Sequence, residues 1–169
     1  MDYFAHGFWS YIVFHWTKRP WLAVLFGLLP DTLSWAVYFF YRLIFQEGFG
    51  KPMLEKIPDW VYMLYNISHS LIVCTVVLTV VFLIYKKWIY EMLAWPLAII
   101  VDVFTHTRDF LPTPFLWPLS TYVFDGISWG TRGFMITNYV LIVSGLTIII
   151  IKRLKNRPNP AKIYKRKKV

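Results

Sequence analysis

The chain is poor in cysteine and in charge. A single thiol, Cys74, stands in 169 residues, which excludes a disulfide framework and any cysteine-rich metal site; inside an apolar run it reads as inert packing. Charged residues make up 16% of the chain against 57% hydrophobic ones, a balance far from that of soluble domains, so the composition predicts a membrane protein. Charge is missing over long stretches. Between Arg19 and Arg42 only Asp31 is charged, between Asp59 and Lys86 nothing is, between Glu91 and Arg108 only Asp102, and from Gly133 to Ile151 nothing. Each run is near or above the roughly 18 to 20 residues that a helix needs to cross the hydrocarbon core, the third being the shortest. A basic n-region and a small-residue cleavage site are also missing, since Asp2 opens the chain and Trp16-Thr17-Lys18-Arg19-Pro20 follows; no cleaved signal peptide is expected. Gly-rich phosphate loops, a nucleophile elbow and HExxH do not occur. Nor is there an inverted repeat of the kind that ion carriers use.

What is present predicts an all-α protein, a polytopic membrane bundle of four to five helices. Residues 3–16 have helical character, and Lys18-Arg19-Pro20 turns the chain into a second helix at Trp21. The first segment is short enough either to span thinly or to lie in the interface. The second helix covers about 21–45 with Pro30-Asp31 in its middle, where proline makes a bend. The third runs over about 60–86, the fourth over 89–106 and the fifth over 133–153. Between the last two lies a long connection, residues 107–132, rich in proline, glycine and aromatics. Its apolar residues predict packing at the membrane surface, as a lid over the helices or as a lipid-anchoring aromatic belt. The chain divides into an integral membrane domain, 1–153, and a basic tail, 154–169.

Basic residues set the orientation. Lys18 and Arg19, Lys86 and Lys87, and nine Lys or Arg from Lys152 to Val169 fall on one side, against Lys51, Lys56, Arg108 and Arg132 on the other. Thirteen against four predicts a cytoplasmic C-terminus in a cell inner membrane. The net charge of +9 is then mostly topology. The tail suits anionic lipid headgroups, at about 1 kcal/mol per basic residue near the surface. No recognition module for nucleic acid accompanies it, and none is expected as a partner.

The few polar groups inside these apolar runs converge by helix direction. Asn66, His69 and Ser70 lie a turn or two below the outer surface, and Asp102, Thr105 and His106 reach a similar depth on one face of the fourth helix. Asp31 lies just beneath them, and His6 is placed at the outer rim. His15, close to Lys18, reads as interfacial. Taken singly, each residue has an ordinary explanation: Asp31 bonding backbone at a kink, His6 and His106 solvated at the interface. Taken together, two carboxylates and three imidazoles in one membrane layer predict neutralisation by a cation. Mixed His and Asp ligands suit zinc, with manganese as a second choice.

The order Ala5-His6-Gly7, Leu29-Pro30-Asp31, Ser68-His69-Ser70-Leu71, Asp102 with Thr105, and Pro114-Phe115-Leu116-Trp117-Pro118-Leu119-Ser120 resembles the inner-membrane metal-dependent hydrolases called YdjM-like. The resemblance covers separated motifs within residues 3–120. That family is distantly similar to zinc-dependent phospholipase C, and the resemblance implies His6, Asp31, His69 and Asp102 as metal ligands. It also implies a histidine four residues before the aspartate of the fourth helix, where this chain has Ala98. His106, four residues beyond Asp102, is the geometric substitute.

The expected chemistry is hydrolysis of a lipid-headgroup phosphoester by metal-activated water, with Asp102 and His106 as the catalytic residues and His6, Asp31, His69, Asp102 and His106 around the metal. Arg108 or Arg132 is available to touch phosphate from the loop, though each also reads as a surface charge. The alternative is a non-catalytic membrane scaffold or lipid- or metal-binding protein, for which Ala98 speaks.

Overall fold

The computed structural model describes residues 1–45 and 57–156. Lys51, Lys56 and most of the basic tail predicted from residue 154, positions 157–169, lie outside the described residues. Helix is the only regular structure among the described residues, with no strand and one isolated bridge between Thr107 and Phe110.

Helix α1, Tyr3–Phe14, is capped by the Asp2 carboxylate, which accepts from the Ala5 N–H at 3.0 Å. Helix α2, Pro20–Asp31, starts with proline at its first position, where a missing N–H costs nothing. A π-helical segment, Thr32–Ala36, joins it to α3, Val37–Phe45. The expected bend at Pro30 is thus a widened turn that begins directly after Asp31. The Thr32 and Ser34 hydroxyls donate to the carbonyls of Leu28 and Pro30, at 2.7 and 3.0 Å. α1 and α2 pack closely: a Cβ at Gly27 would collide with the Ser10 side chain.

The predicted third helix is two helices. α4, Asp59–Ser68, and α5, Leu71–Tyr85, meet at His69 with a bend of 55°. Ser70 makes the break by capping α5, accepting from the Val73 N–H at 3.1 Å. The predicted fourth helix is a 3-10 turn at Tyr90–Leu93 followed by α6, Ala94–Thr105. Pro96 falls in the first turn of α6, where an intrahelical donor is not needed. The predicted fifth helix is α7, Arg132–Lys155.

Among the described residues two helices are long and apolar enough to cross a membrane: the stretch Pro20–Phe45, of 26 residues, and α7, of 24. The bent pair α4 and α5 makes a third if it is one span. α1 and α6 have 12 residues each, roughly 18 Å at 1.5 Å per residue, well short of the roughly 30 Å hydrocarbon core. A full span for the fourth helix is therefore not what forms. α1 lies between α2 and α7, and α6 packs on α2 and α5. Cys74 is fully buried against Trp95 and Ile99, as inert packing requires.

The connection 107–132 folds back onto the helices. Gly126, Ile127 and Trp129 donate backbone N–H groups to His106, Phe104 and Thr105 at 2.9 to 3.0 Å. A Cβ at Gly126 would strike the Phe104 carbonyl, so this approach needs glycine. Phe115 packs into the Cys74 cluster, while Leu119, Tyr122 and Ile127 face outward. Both predicted roles have a segment that suits them: a packed inner part and an exposed apolar tip.

Candidate functional site

Four of the five polar residues expected around a metal sit at or near a helix end or break, and His6 alone lies within a regular helix. His6 is in the second turn of α1, Asp31 ends α2 before the π segment, and His69 fills the break between α4 and α5. Asp102 lies in the last turn of α6, and His106 caps it, its N–H donating to the Asp102 carbonyl at 3.0 Å.

These side chains meet. His6 Nε2 is 3.0 Å from Asp102 Oδ1 and 4.0 Å from Asp31 Oδ2; His69 Nε2 is 3.5 Å from Asp31 Oδ1 and 3.7 Å from Asp102 Oδ2; His106 Nε2 is 3.6 Å from Asp102 Oδ1. All five candidates share one cluster, with Asp102 at its centre. His6 is not at the rim, as its position near the chain start predicts, but buried at 2% exposure. Asp31, whose side chain is 14% exposed, takes the outermost place instead. The π segment that follows Asp31 packs on α4.

The hydrogen-bond network fixes how two of the imidazoles present themselves. A backbone carbonyl only accepts, so the His69 Nδ1–H donates to the Tyr65 carbonyl at 3.1 Å and the His106 Nδ1–H to the Leu111 carbonyl at 2.7 Å. In both rings Nε2 faces carboxylate oxygen, and the His106 Nε2 also faces the Met1 amine. His69 Nε2 is fully buried with no hydrogen-bond partner at all. Tying Nδ1 to a carbonyl so that Nε2 stays free is the usual way a protein orients a metal-binding imidazole. Leu111 supplies its carbonyl from a left-handed conformation, φ 50°, uncommon for a non-glycine residue.

A cation of the chain itself already lies in the cluster. The Met1 amine donates to Asp102 Oδ1 and stands 3.2 Å from His106 Nε2. As the side chains stand, no three His, Cys, Asp or Glu groups among the described residues have the spacing around a common point that a metal ion needs. The donor chemistry nevertheless fits one, because an unpartnered, buried imidazole nitrogen and two carboxylates share a small volume.

Beside the cluster lies a cavity of about 270 Å³, with Asp31 and His106 at its polar end and Trp35, Phe110, Leu111 and Trp129 along its walls. Among the described residues no lysine or arginine lines it, while Met1 and Asp2 do. Arg108 and Arg132 are exposed and neither is among the residues that line it, and the Arg108 backbone N–H is held by Asp125 at 2.9 Å.

Tyr65 is the residue that sequence reasoning missed. Its ring stacks on His69, centroids 3.9 Å apart, and its hydroxyl reaches His106 Nδ1 at 3.2 Å and the Leu111 carbonyl at 3.0 Å. Its position four residues before His69 was the available signal. Ser68 and Ser70 brace the break: Trp95 Nε1–H donates to the Ser68 carbonyl at 2.8 Å, and the Ser70 hydroxyl donates to the Trp117 carbonyl. Ala98 is buried one turn before Asp102, beside a void of about 80 Å³ that His6 and Ser10 also line.

No family model matches the chain, and no curated protein or solved structure is significantly similar to it.

Proposed function

We propose that the chain is a membrane-embedded, metal-dependent hydrolase of the YdjM-like kind, acting on a phosphoester of a lipid headgroup. The observation that carries this reading is the buried, unpartnered His69 Nε2 between Asp31 and Asp102. Two buried carboxylates on either side of an imidazole nitrogen without a hydrogen bond call for positive charge among them, which a divalent ion would supply. His6, Asp31, His69, Asp102 and His106 would hold a divalent ion, zinc by donor type and manganese as the second choice. Such an ion, when bound, supplies neutralising charge for a phosphoryl group and lowers the pKa of water.

The chain's own groups have separate parts to play. Asp102 gathers His6, His69 and His106 around one carboxylate. His106, its Nδ1–H committed to Leu111, is left with Nε2, which the Met1 amine approaches at 3.2 Å, to take up or return a proton, the role of a general base and acid. The aromatic cavity receives the apolar part of a lipid and keeps bulk water out. Among the described residues no lysine or arginine lines the cavity, so phosphate charge would be met at the Asp31–His106 end, where the ion would be held.

Membrane placement belongs to the same proposal. Tyr11 touches Trp21, Arg153 lies over Tyr11, and Trp16 touches Tyr90. These contacts draw the segments bearing Lys18 and Arg19, Lys86 and Lys87, and Lys152 to Lys155 to one end, which supports a cytoplasmic C-terminus in a cell inner membrane. The polytopic bundle then consists of the long spans with α1 and α6 as half-depth helices. The polar cluster is at the opposite end, at the level of outer-leaflet headgroups.

A non-catalytic scaffold or lipid- or metal-binding protein is the second reading. Ala98 favours it, and so does the Met1 amine, which by itself gives Asp102 a positive partner. Purified protein supplied with zinc or manganese, assayed on phospholipids and isoprenoid phosphates beside Asp31→Asn and His69→Ala, separates the two. Hydrolysis lost in both variants supports the enzyme. Equal activity in all three samples is contamination and removes it.

A further inference from the structure

A second groove lies away from the polar cluster, among α1, α2 and α7. Its volume is about 400 Å³, inside the range of about 300 to 1,000 Å³ typical of ligand sites. Val24 and Leu28 form one wall and Leu146 and Ile150 the other, with Gly7 as the floor. The groove has a polar group at one end only. Arg153 closes it there, its guanidinium 5.7 Å from the centre of the Tyr11 ring. No carboxylate lines the groove, and among the described residues none pairs with Arg153.

We infer that this groove binds one acyl chain of an anionic phospholipid, with the phosphate held by Arg153. The occupant follows from charge and shape together. An apolar trough with one unpaired cation at its end complements a molecule with an apolar tail and one anionic head. Along α1 it extends from Phe4 to Tyr11, roughly 10 Å at 1.5 Å per residue, so it takes part of an acyl chain lying parallel to the helices. Arg153 stands two residues before the end of α7, at the level where headgroups meet a spanning helix, with Tyr11 and Trp21 beside it as interfacial aromatics. Gly7 keeps the trough open: a Cβ there would lie 3.4 Å from Leu28 and Val24 atoms, ordinary contact, and anything longer would project into the groove. The inference rests on the membrane placement proposed above and is independent of the hydrolytic chemistry.

The test uses the full chain in detergent, given phosphatidylglycerol or phosphatidylcholine with the same acyl chains and examined by native mass spectrometry. The native chain should retain one phosphatidylglycerol about fivefold more than phosphatidylcholine, the preference that one basic contact supplies. Arg153→Gln should bring the ratio to about one. Because Arg153 is exposed, this variant leaves the packing intact. Gly7→Leu should lower retention of both lipids, and Leu146→Phe fills the same groove if the first variant does not fold. Equal retention of the two lipids by the native chain overturns the proposal, as does a preference that survives Arg153→Gln. Lipid binding that appears only after removal of residues 157–169 assigns the groove to the tail, and retention that tracks a dimer assigns it to a second copy; either result also overturns it.

Discussion

α7 and the pair α4–α5 are both apolar enough to meet lipid, yet they are built for different work. α7 runs unbroken for 24 residues and buries only Asn138, Ile142 and Ile149. The pair bends by 55° at His69 and buries Tyr65, Ser68, His69 and Ser70 around the bend. An unbroken helix satisfies its own backbone and asks nothing of its neighbours. A broken one leaves donors and acceptors that others must satisfy, and here Trp95, Phe115 and Trp117 do so. The broken elements are therefore tied to the rest of the fold where the polar residues converge. Asp31 beside its π segment and His106 at the end of α6 repeat the pattern. Irregular backbone inside a membrane protein belongs where it lines a polar site, and α7 has neither the irregularity nor a candidate ligand.

Substitutions in the two regions should differ in a graded way. The largest effect is expected for His106→Ala, which removes the proposed proton-transfer group: kcat on a responsive phospholipid should fall at least about a hundredfold, measured as phosphate release in mixed micelles. Next is Tyr65→Phe, which keeps the stacking on His69 but removes the hydroxyl near His106 Nδ1. Metal affinity in a competition assay should fall about tenfold, in the range of a lost outer hydrogen bond. Ser70→Ala takes away the cap of α5 and the bond to Trp117 and should cost about 1 kcal/mol of stability, read from thermal melting in detergent. The smallest effect belongs to α7. Val143→Ala, at an exposed site, should stay within about 0.5 kcal/mol and leave activity unchanged. If Val143→Ala is as damaging as Tyr65→Phe, the contrast between the two regions is wrong.

The sequence made the apolar segments legible because charge is so scarce that Asp31 and Asp102 stand out against lipid-facing runs. α7 came out within two residues of its predicted ends, since nothing in 133–153 competes with helix. The break at His69 was read through, because no charge interrupts the run from Trp60 to Tyr85. Its marks were local: the polar run Ser68-His69-Ser70, with Ser70 placed to cap α5, and a less apolar composition before the break than after it. The start of α6 was placed too early, at 89: Pro96 in its first turn went unread, and Tyr90–Leu93 before it is a 3-10 turn. His6, His69, Asp31, Asp102 and His106 were individually visible as costly groups in oil. Their partners were not: the Leu111 carbonyl and the Met1 amine reach the cluster through contacts distant in sequence, and Tyr65 is one tyrosine among 11.

Metal content tests the central claim most directly. Protein purified without chelator and dialysed exhaustively is analysed for zinc and manganese, beside Asp102→Asn prepared in the same way, with helical content by circular dichroism to confirm that both are folded. The account predicts at least about one divalent ion per native chain and a near-complete loss in the variant. Absence of bound metal from the native protein after incubation with zinc or manganese, or equal metal in both samples, would contradict it.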